Sequence, residues 1–293
     1  MGSTRLPGKV LADLGGQPLL ALLLTRLRCG AIEDVVVATS ELPGDDPVAD
    51  LAGALDVPVI RGSEADVLSR YALAIGTFAP DHVVRITADC PLIDPAVIVD
   101  AVDHHVAVDA DYTSNTLART FPDGLDVEVL RASALQIAAD EAEELDEREH
   151  VTPFVYRRPS RFRLGCICSG DDLGAERWTV DTVNDLEWLR AVVGKLADAA
   201  TAPWTEILDV AGRSTSPARG SVWLRPVCWS DVAFRRAWDV LVDGAPVGSV
   251  EVAVTEPGHG TLDYVGALEH RPVATDLTRD ALRADKQIVS LTV

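Results

Sequence analysis

Seven side chains in this sequence are of the types that handle phosphate and hard metal ions. They are Ser3, Arg5 and Lys9 in the opening "MGSTRLPGKVL", Arg61 and Arg70 further on, Asp89 in "TADCPLIDP" and Asp181 in "VDT". Arginines, a lysine and backbone N–H groups neutralise a polyphosphate, and two carboxylates hold a hard, oxygen-seeking ion such as Mg²⁺. Brought together, they are the parts of a nucleotidyl-transfer site, where catalysis is positioning plus charge stabilisation. Taken singly, each has a structural reading too. The opening loop departs from the G-x-x-x-x-G-K-[ST] spacing and also fits an exposed loop. An isolated Asp commonly ends a strand or caps a helix, and Arg61 and Arg70 also fit surface ion pairs. "EREH" (147–150) fits a solvated helix face.

The elements that must position these groups follow from periodicity. "QPLLALLLTRLRCG", "DDPVADLAGALD", "EADVLSRYALAIGTFA" and "DPAVIVDAVDHHVAV" carry helical spacing, and "DVVVATS", "VPVIRGS" and "DHVVRITAD" read as short buried strands. This alternation to about residue 100 predicts an α/β sheet with helices on both faces. Ligands bind such sheets at the C-terminal strand ends, which selects "ATS" (38–40), "RGS" (61–63) and "TADCPLIDP" (87–95) as the lining of one crevice. Beyond it, "DYTSNTLARTFPDGLDVEVL" reads as strand, turn and strand, the stretch from 132 as mainly helical, and "RFRLGCIC" as a strand. "RWTVDTVNDLEWLRAVVGKLA" reads as a short strand followed by an amphipathic helix. The expected domains are 1–210, a linker at 211–221 rich in small polar residues, and a small α+β unit at 222–293 with a hairpin turning at Asp243-Gly244.

The chain carries 26 basic against 46 acidic residues, a net charge of -20, which argues against broad binding to nucleic acid or an anionic membrane. A polyanionic ligand therefore needs a local basic pocket. Of only three lysines (Lys9, Lys195, Lys286), one lies in the opening loop. Five cysteines, with Cys166 and Cys168 the only close pair, lack the second pair a zinc site needs and read as reduced thiols of a cytoplasmic protein. No apolar run reaches membrane-span length, because Arg26 and Arg28 interrupt "PLLALLLTRLRCG".

The wording and order of "GSTRLPGKVL", "VVVATS", "VIRGSEADVLSRY", "VRITADCPLIDP", "YTSNTLARTFPDGLDVEVL", "DEREHVTPFVY" and "RWTVDTVNDLEWLR" over residues 1–195 resemble the cytidylyltransferases of the spore-coat polysaccharide type. These are relatives of the acylneuraminate and KDO cytidylyltransferases. The resemblance implies a three-layer Rossmann-like nucleotidyltransferase fold, CTP and Mg²⁺, a sugar or sugar-acid acceptor, and a possible homodimer. It implies that Gly2, Ser3, Arg5 and Lys9 hold the triphosphate and that Ala38, Thr39, Arg61 and Gly62 frame cytosine and ribose. Asp66 and Arg70 would support that wall, Asp89 and Asp181 would bind metal, and Arg5, Lys9 and Asp89 would be catalytic. Acceptor recognition would fall to Asn115, Asp123, Asp126, Glu128, Arg148 and His150.

In that family an apolar strand and an Ala-Arg pair precede the opening loop. The expectation is a sheet short of its first strand and a true start upstream of Met1. Two alternatives stand beside the main reading: a same-fold transferase using UTP or GTP, and an impaired homologue serving as a scaffold. The tail 222–293 is more weakly similar to a GCN5-type acetyltransferase, with "RPVATD" where that family has a glycine-rich turn, which implies an incomplete and structural unit.

Overall fold

The apolar run after the opening loop folds as helix α1 (Leu19–Arg28), which buries six leucines. Arg26 is fully buried among them and donates to the carbonyls of Ile93, Ala199 and Ala202 at 2.7, 2.6 and 3.0 Å. A buried guanidinium is tolerable only when hydrogen-bonded in this way. These bonds tie α1 to two distant segments. The computed structural model describes residues 5–28, 32, 34–212, 222–230, 235–242, 245–256, 258–266 and 288–292. Gly2, Ser3, the linker from 213 to 221, the Asp243-Gly244 turn and "RPVATD" lie outside them.

The expected alternation is present: β1 (Val37–Ser40), α2 (Asp46–Ala54), β2 (Val59–Gly62), α3 (Val67–Phe78), β3 (His82–Arg85) and α4 (Pro95–Ala107) follow in order. Next come β4 (Tyr112–Ser114), β5 (Glu128–Arg131), α5 (Ala132–Glu141), α6 (Leu145–His150), α7 (Pro153–Tyr156), β6 (Leu164–Cys166), α8 (Val183–Val193) and α9 (Trp204–Ala211). The strands do not form one continuous sheet among the described residues. β1 pairs with β2 in parallel, and a separate sheet has the order β3-β5-β4-β6. β5 is antiparallel to both neighbours, because the chain returns from β4 through a loop without the crossover helix a parallel pair requires. The strand expected at "RWTV" is a single bridge between Arg177 and Asp123.

Alternation along β5 shows the layering. Val129 faces a core shared by α1, α4, α8 and α9, and Leu130 faces a second core with α3, α5 and α7. Helices on both faces of the strands make a three-layer α/β fold. β7 (Val222–Ser230), β8 (Arg235–Val242), β9 (Ala245–Glu256), β10 (Gly258–Gly266) and β11 (Ile288–Thr292) form another sheet. Its order is β11-β10-β9-β8-β7, antiparallel except for the parallel β10–β11 pair. Pairing of Val242 with Ala245 brackets the expected hairpin turn. Among the described residues no helix is long and apolar enough to cross a membrane.

Candidate functional site

Gly8 takes φ 72, a left-handed value that glycine adopts without steric cost, and starts a 3-10 turn at Lys9–Leu11. This turn aims Lys9 inward. Its Nζ lies 2.9 Å from Asp89 Oδ2 and 3.0 Å from Asp181 Oδ1. Three features hold the carboxylates there. The Val180 amide donates to the Asp89 carbonyl at 3.0 Å, which brings the two segments side by side. Thr87 Oγ1 donates to Asp89 Oδ1 at 2.6 Å. Thr182 and Asp185 form a capping box at the start of α8, and Asp185 Oδ2 also accepts from the Asp181 amide at 3.0 Å. Asp181 thus stands just ahead of a capped helix, and its Oδ2 meets Arg5 at 3.1 Å and Arg177 at 2.7 Å.

The charges in this cluster reinforce one another. Burial opposes ionisation of Lys9, but hydrogen bonds and attraction from Asp89 and Asp181 prevail and raise its pKa. Burial likewise opposes the Asp89 carboxylate, and the bonds from Thr87 and Lys9 prevail and lower its pKa. Asp181 is lowered against the same burial cost by Lys9, Arg5 and Arg177. All three groups are therefore charged at neutral pH. Cys90, fully buried beside Asp89, has a thiol pushed well above its usual range by burial first and that carboxylate second.

The ends of β1 and β2, paired in parallel, carry a second group of the expected residues. Thr39 is buried, and its hydroxyl donates to Asp45 Oδ2 at 2.8 Å. The Ala38 carbonyl accepts from Arg70 at 3.3 Å. Arg61 donates to the carbonyls of Ser40 and Leu42, each at 3.0 Å, and pairs with Asp46 at 2.7 Å, so it binds the strand-end loop together. A Cβ on Gly62 would lie 3.0 Å from Arg70 Cγ, which shows how closely Arg70 crosses β2. The Nε of Arg70 is buried with no hydrogen-bond partner, and burial lowers its pKa.

The residues expected to take the acceptor divide into two groups. Asp123 and Asp126 stand at the rim, where Arg119 chelates Asp126 at 2.7 and 2.8 Å and reaches Asp123 at 3.4 Å. Burial raises the pKa of Asp123. This rim is joined to the Asp181 segment by backbone bonds from Asp123 to Glu176 and from Trp178 to Asp123, at 2.9 and 2.6 Å. Gly124, at φ +117, permits the approach, since a Cβ there would sit 2.8 Å from the Trp178 carbonyl carbon.

Asn115, Glu128 and Arg148 instead use their polar atoms inside the protein. Asn115 donates to the Leu125 carbonyl at 2.6 Å and accepts from the Val127 amide at 2.9 Å. Glu128 is buried against Arg85, Tyr112 and Thr152. Arg148 pairs with Asp66 at 2.7 Å, and Asp66 itself caps α3 through the Ser69 amide, so one expected wall residue and one expected acceptor residue bind each other. His150 is exposed at the end of α6.

Sequence reasoning missed Thr87, Arg177, Asp185, Asp45 and Arg119. The T-x-x-D spacing of Thr182 and Asp185 was a readable capping signal. Arg177 stands four residues before Asp181, a spacing without meaning until the extended "RWTV" segment brings both to one edge.

The three-layer α/β fold, with Lys9 set between two carboxylates, is that of a nucleotidyltransferase. The chain belongs to the cytidylyltransferase family, whose model matches residues 1–185. It is 32% identical over 226 residues to the spore coat polysaccharide biosynthesis protein SpsF of Bacillus subtilis, covering 74% of this chain and 93% of that one. It is 37% identical over 189 residues to an uncharacterized protein of Methanocaldococcus jannaschii, covering 64% and 76% of the two chains. Among solved structures, a cytidylyltransferase from Leptospira borgpetersenii superposes with a TM-score of 0.69 at 32% identity, covering 72% of this chain and 89% of that one.

Proposed function

We propose that this enzyme transfers CMP from CTP to a hydroxyl of a sugar or sugar acid, with release of pyrophosphate, in the cytoplasmic supply of activated sugars for surface polysaccharide. The observation that carries this reading is the junction of Lys9 with Asp89 and Asp181 at the strand ends. Support for the acceptor class comes from two relatives. One is the spore coat polysaccharide protein, and the other is the 3-deoxy-manno-octulosonate cytidylyltransferase of Tolumonas auensis, 34% identical over 148 residues.

The donor set fits a magnesium ion. Among the described residues no group of three or more His, Cys, Asp or Glu side chains is placed to hold a metal by itself. Two carboxylates are what Mg²⁺ ordinarily takes from protein, its remaining ligands being water and substrate phosphate. Bound by Asp89 and Asp181, the ion would supply Lewis-acid stabilisation of the charge developing on the reacting phosphate. Lys9 balances both carboxylates and would offer its ammonium to the phosphate once they held the ion. Arg5 and Arg177 add positive charge at the outer Asp181 oxygen and offset a polyanion there. The wall of Ala38, Thr39 and Gly62 is where the base and ribose would pack.

The test is pyrophosphate release from CTP with Mg²⁺ across a panel of sugars and sugar acids, with UTP and GTP as competitors. CTP-dependent turnover that EDTA abolishes is expected. Turnover with UTP or GTP in place of CTP would overturn the cytidine assignment, and absence of turnover with every nucleotide would favour the scaffold reading.

A further inference from the structure

We propose that Asp123 is the general base of the transfer and takes the proton of the acceptor hydroxyl on its Oδ2. The assignment rests on the cytidylyltransfer reading. Its ground is the way three segments lie side by side. Asp123 is the parallel bridge partner of Arg177, and its amide donates to the Glu176 carbonyl at 2.9 Å while its carbonyl accepts from the Trp178 amide at 2.6 Å. Just beyond, the Val180 amide donates to the Asp89 carbonyl at 3.0 Å. Residues opposite each other across a bridge present their side chains on one face. Arg177 reaches Asp181 Oδ2 at 2.7 Å, so Asp123 shares that face with a carboxylate of the Lys9 cluster.

The bonds made by each oxygen separate Asp123 from its neighbours. Asp89 accepts from Thr87 on Oδ1 and from Lys9 on Oδ2. Asp181 accepts from Lys9 on Oδ1 and meets Arg5 and Arg177 on Oδ2. Arg119 holds both oxygens of Asp126 at 2.7 and 2.8 Å. Asp123 meets the same guanidinium only through Oδ1, at 3.4 Å, and its Oδ2 has no partner among the described residues. The side chain is 34% exposed, so a ligand can reach it.

The surroundings agree with this division. Burial first, then the charges of Asp126 and Asp89, work against the Asp123 carboxylate, while Arg119 and Arg177 favour it; the former prevail and raise its pKa. Cys90, whose thiol stays protonated, also lies within its field. Asp89 and Asp181 are instead lowered. Carboxylates whose environments push them apart in this way take different roles: the lowered pair stays charged to hold cations, and the raised one exchanges a proton more readily.

In the step itself, the proton of the acceptor hydroxyl passes to Asp123 Oδ2 as the acceptor oxygen forms a bond to the α-phosphorus of CTP. The bond from that phosphorus to the oxygen bridging to the β-phosphate breaks, and pyrophosphate leaves with the electron pair. The Asp123 carboxyl then gives its proton to water, which restores the carboxylate for the next turnover.

The experiment follows pyrophosphate release against pH for the full chain, Asp123→Asn and Asp123→Glu, with CTP and Mg²⁺. Asp123→Asn keeps the shape of the side chain, and its urea midpoint should match the parent's. Its kcat is expected to fall by about 100-fold or more, with both KM values within about threefold of the parent's, and Asp123→Glu should regain part of the loss. A base acts deprotonated, so the parent's kcat declines as pH falls through the raised Asp123 pKa, whereas Asp89 and Asp181 protonate further down; Asp123→Asn should lose that decline. Near-parent kcat in Asp123→Asn, a loss confined to the acceptor KM, or an unaltered acidic limb would overturn the base role alone. Carbon-13 NMR of the aspartate carboxyls reads the residue without turnover: a resonance titrating above the ordinary aspartate range and missing from Asp123→Asn is expected, and one titrating below that range would overturn the proposal. A parent that releases no pyrophosphate from any nucleotide would overturn the transfer reading and the base role with it.

Discussion

The Lys9 ammonium bridges Asp89 and Asp181, at 2.9 and 3.0 Å, although these carboxylates lie 80 and 172 residues further along the chain. One cation thus balances two anions that would otherwise repel each other in a half-buried site. The relationship makes the site a single electrostatic unit, so each member is expected to matter beyond its own contact.

Lys9→Ala is expected to lower turnover by about 100-fold or more, the scale of removing one preorganised charge from a transition state. The far-ultraviolet circular dichroism should be unchanged, since no helix or strand depends on this side chain. Turnover within a few-fold of the parent would refute its role.

Asp89→Asn removes one of the two hard oxygen ligands while keeping the shape. The divalent-cation titration of activity should move to higher concentration, together with a fall in maximal rate. Thr87→Ala, which removes the hydroxyl that holds Asp89 Oδ1 and also touches the Cys90 sulfur, is expected to do the same more mildly. An unshifted metal titration in Asp89→Asn would show that the carboxylate does not hold the ion.

Asn115→Ala leaves the Val127 amide and the Leu125 carbonyl without their buried partner. A loss of about 2–3 kcal/mol is expected in urea unfolding. A variant as stable as the parent would mean that these groups find other partners.

Arg148→Ala breaks the pairing with Asp66 and the bonds to the Ala139 and Ala142 carbonyls. The pair is partly exposed, so the cost should be about 1 kcal/mol. A small fall in Tm is expected, with the acceptor KM nearly unchanged. A large rise in the acceptor KM without loss of Tm would instead place Arg148 at the substrate.

His105 is buried between His82 and Thr113, at 3.1 and 3.0 Å, and its pKa is lowered to about 4, first by burial and then by His82 and Arg131. Above pH ~7.5 it is neutral both folded and unfolded and adds no pH dependence. As pH falls from there towards 4, the unfolded chain takes up a proton that the folded chain refuses, so stability declines, by about 3 kcal/mol at most. Urea unfolding at pH 7.5 and 4.5 should show this decline in the parent and a shallower one in His105→Gln. Equal slopes would remove His105 as the cause.

Much of the fold was legible because it is local. Helix and strand periodicities placed the elements through α4, and the apolar run of α1 announced its own burial. The antiparallel course of β5 was not legible, because strand direction depends on where the returning chain finds hydrogen-bond partners. The same holds for the break between the β1–β2 pair and the β3-β5-β4-β6 sheet.

At the site, residue type and position offered Lys9, Asp89 and Asp181 among the candidates, and the folded chain brings these three together. Residue type could not show that Asn115, Glu128 and Arg148 hold the protein together, because a polar side chain serves a ligand or a neighbouring backbone with the same atoms. Which of these it does depends on distances of about 3 Å between residues far apart in the chain. The sequence by itself determined the chemistry available to this protein. Only the tertiary structure decided which charges meet, because that is set by the packing of three layers and not by any local propensity.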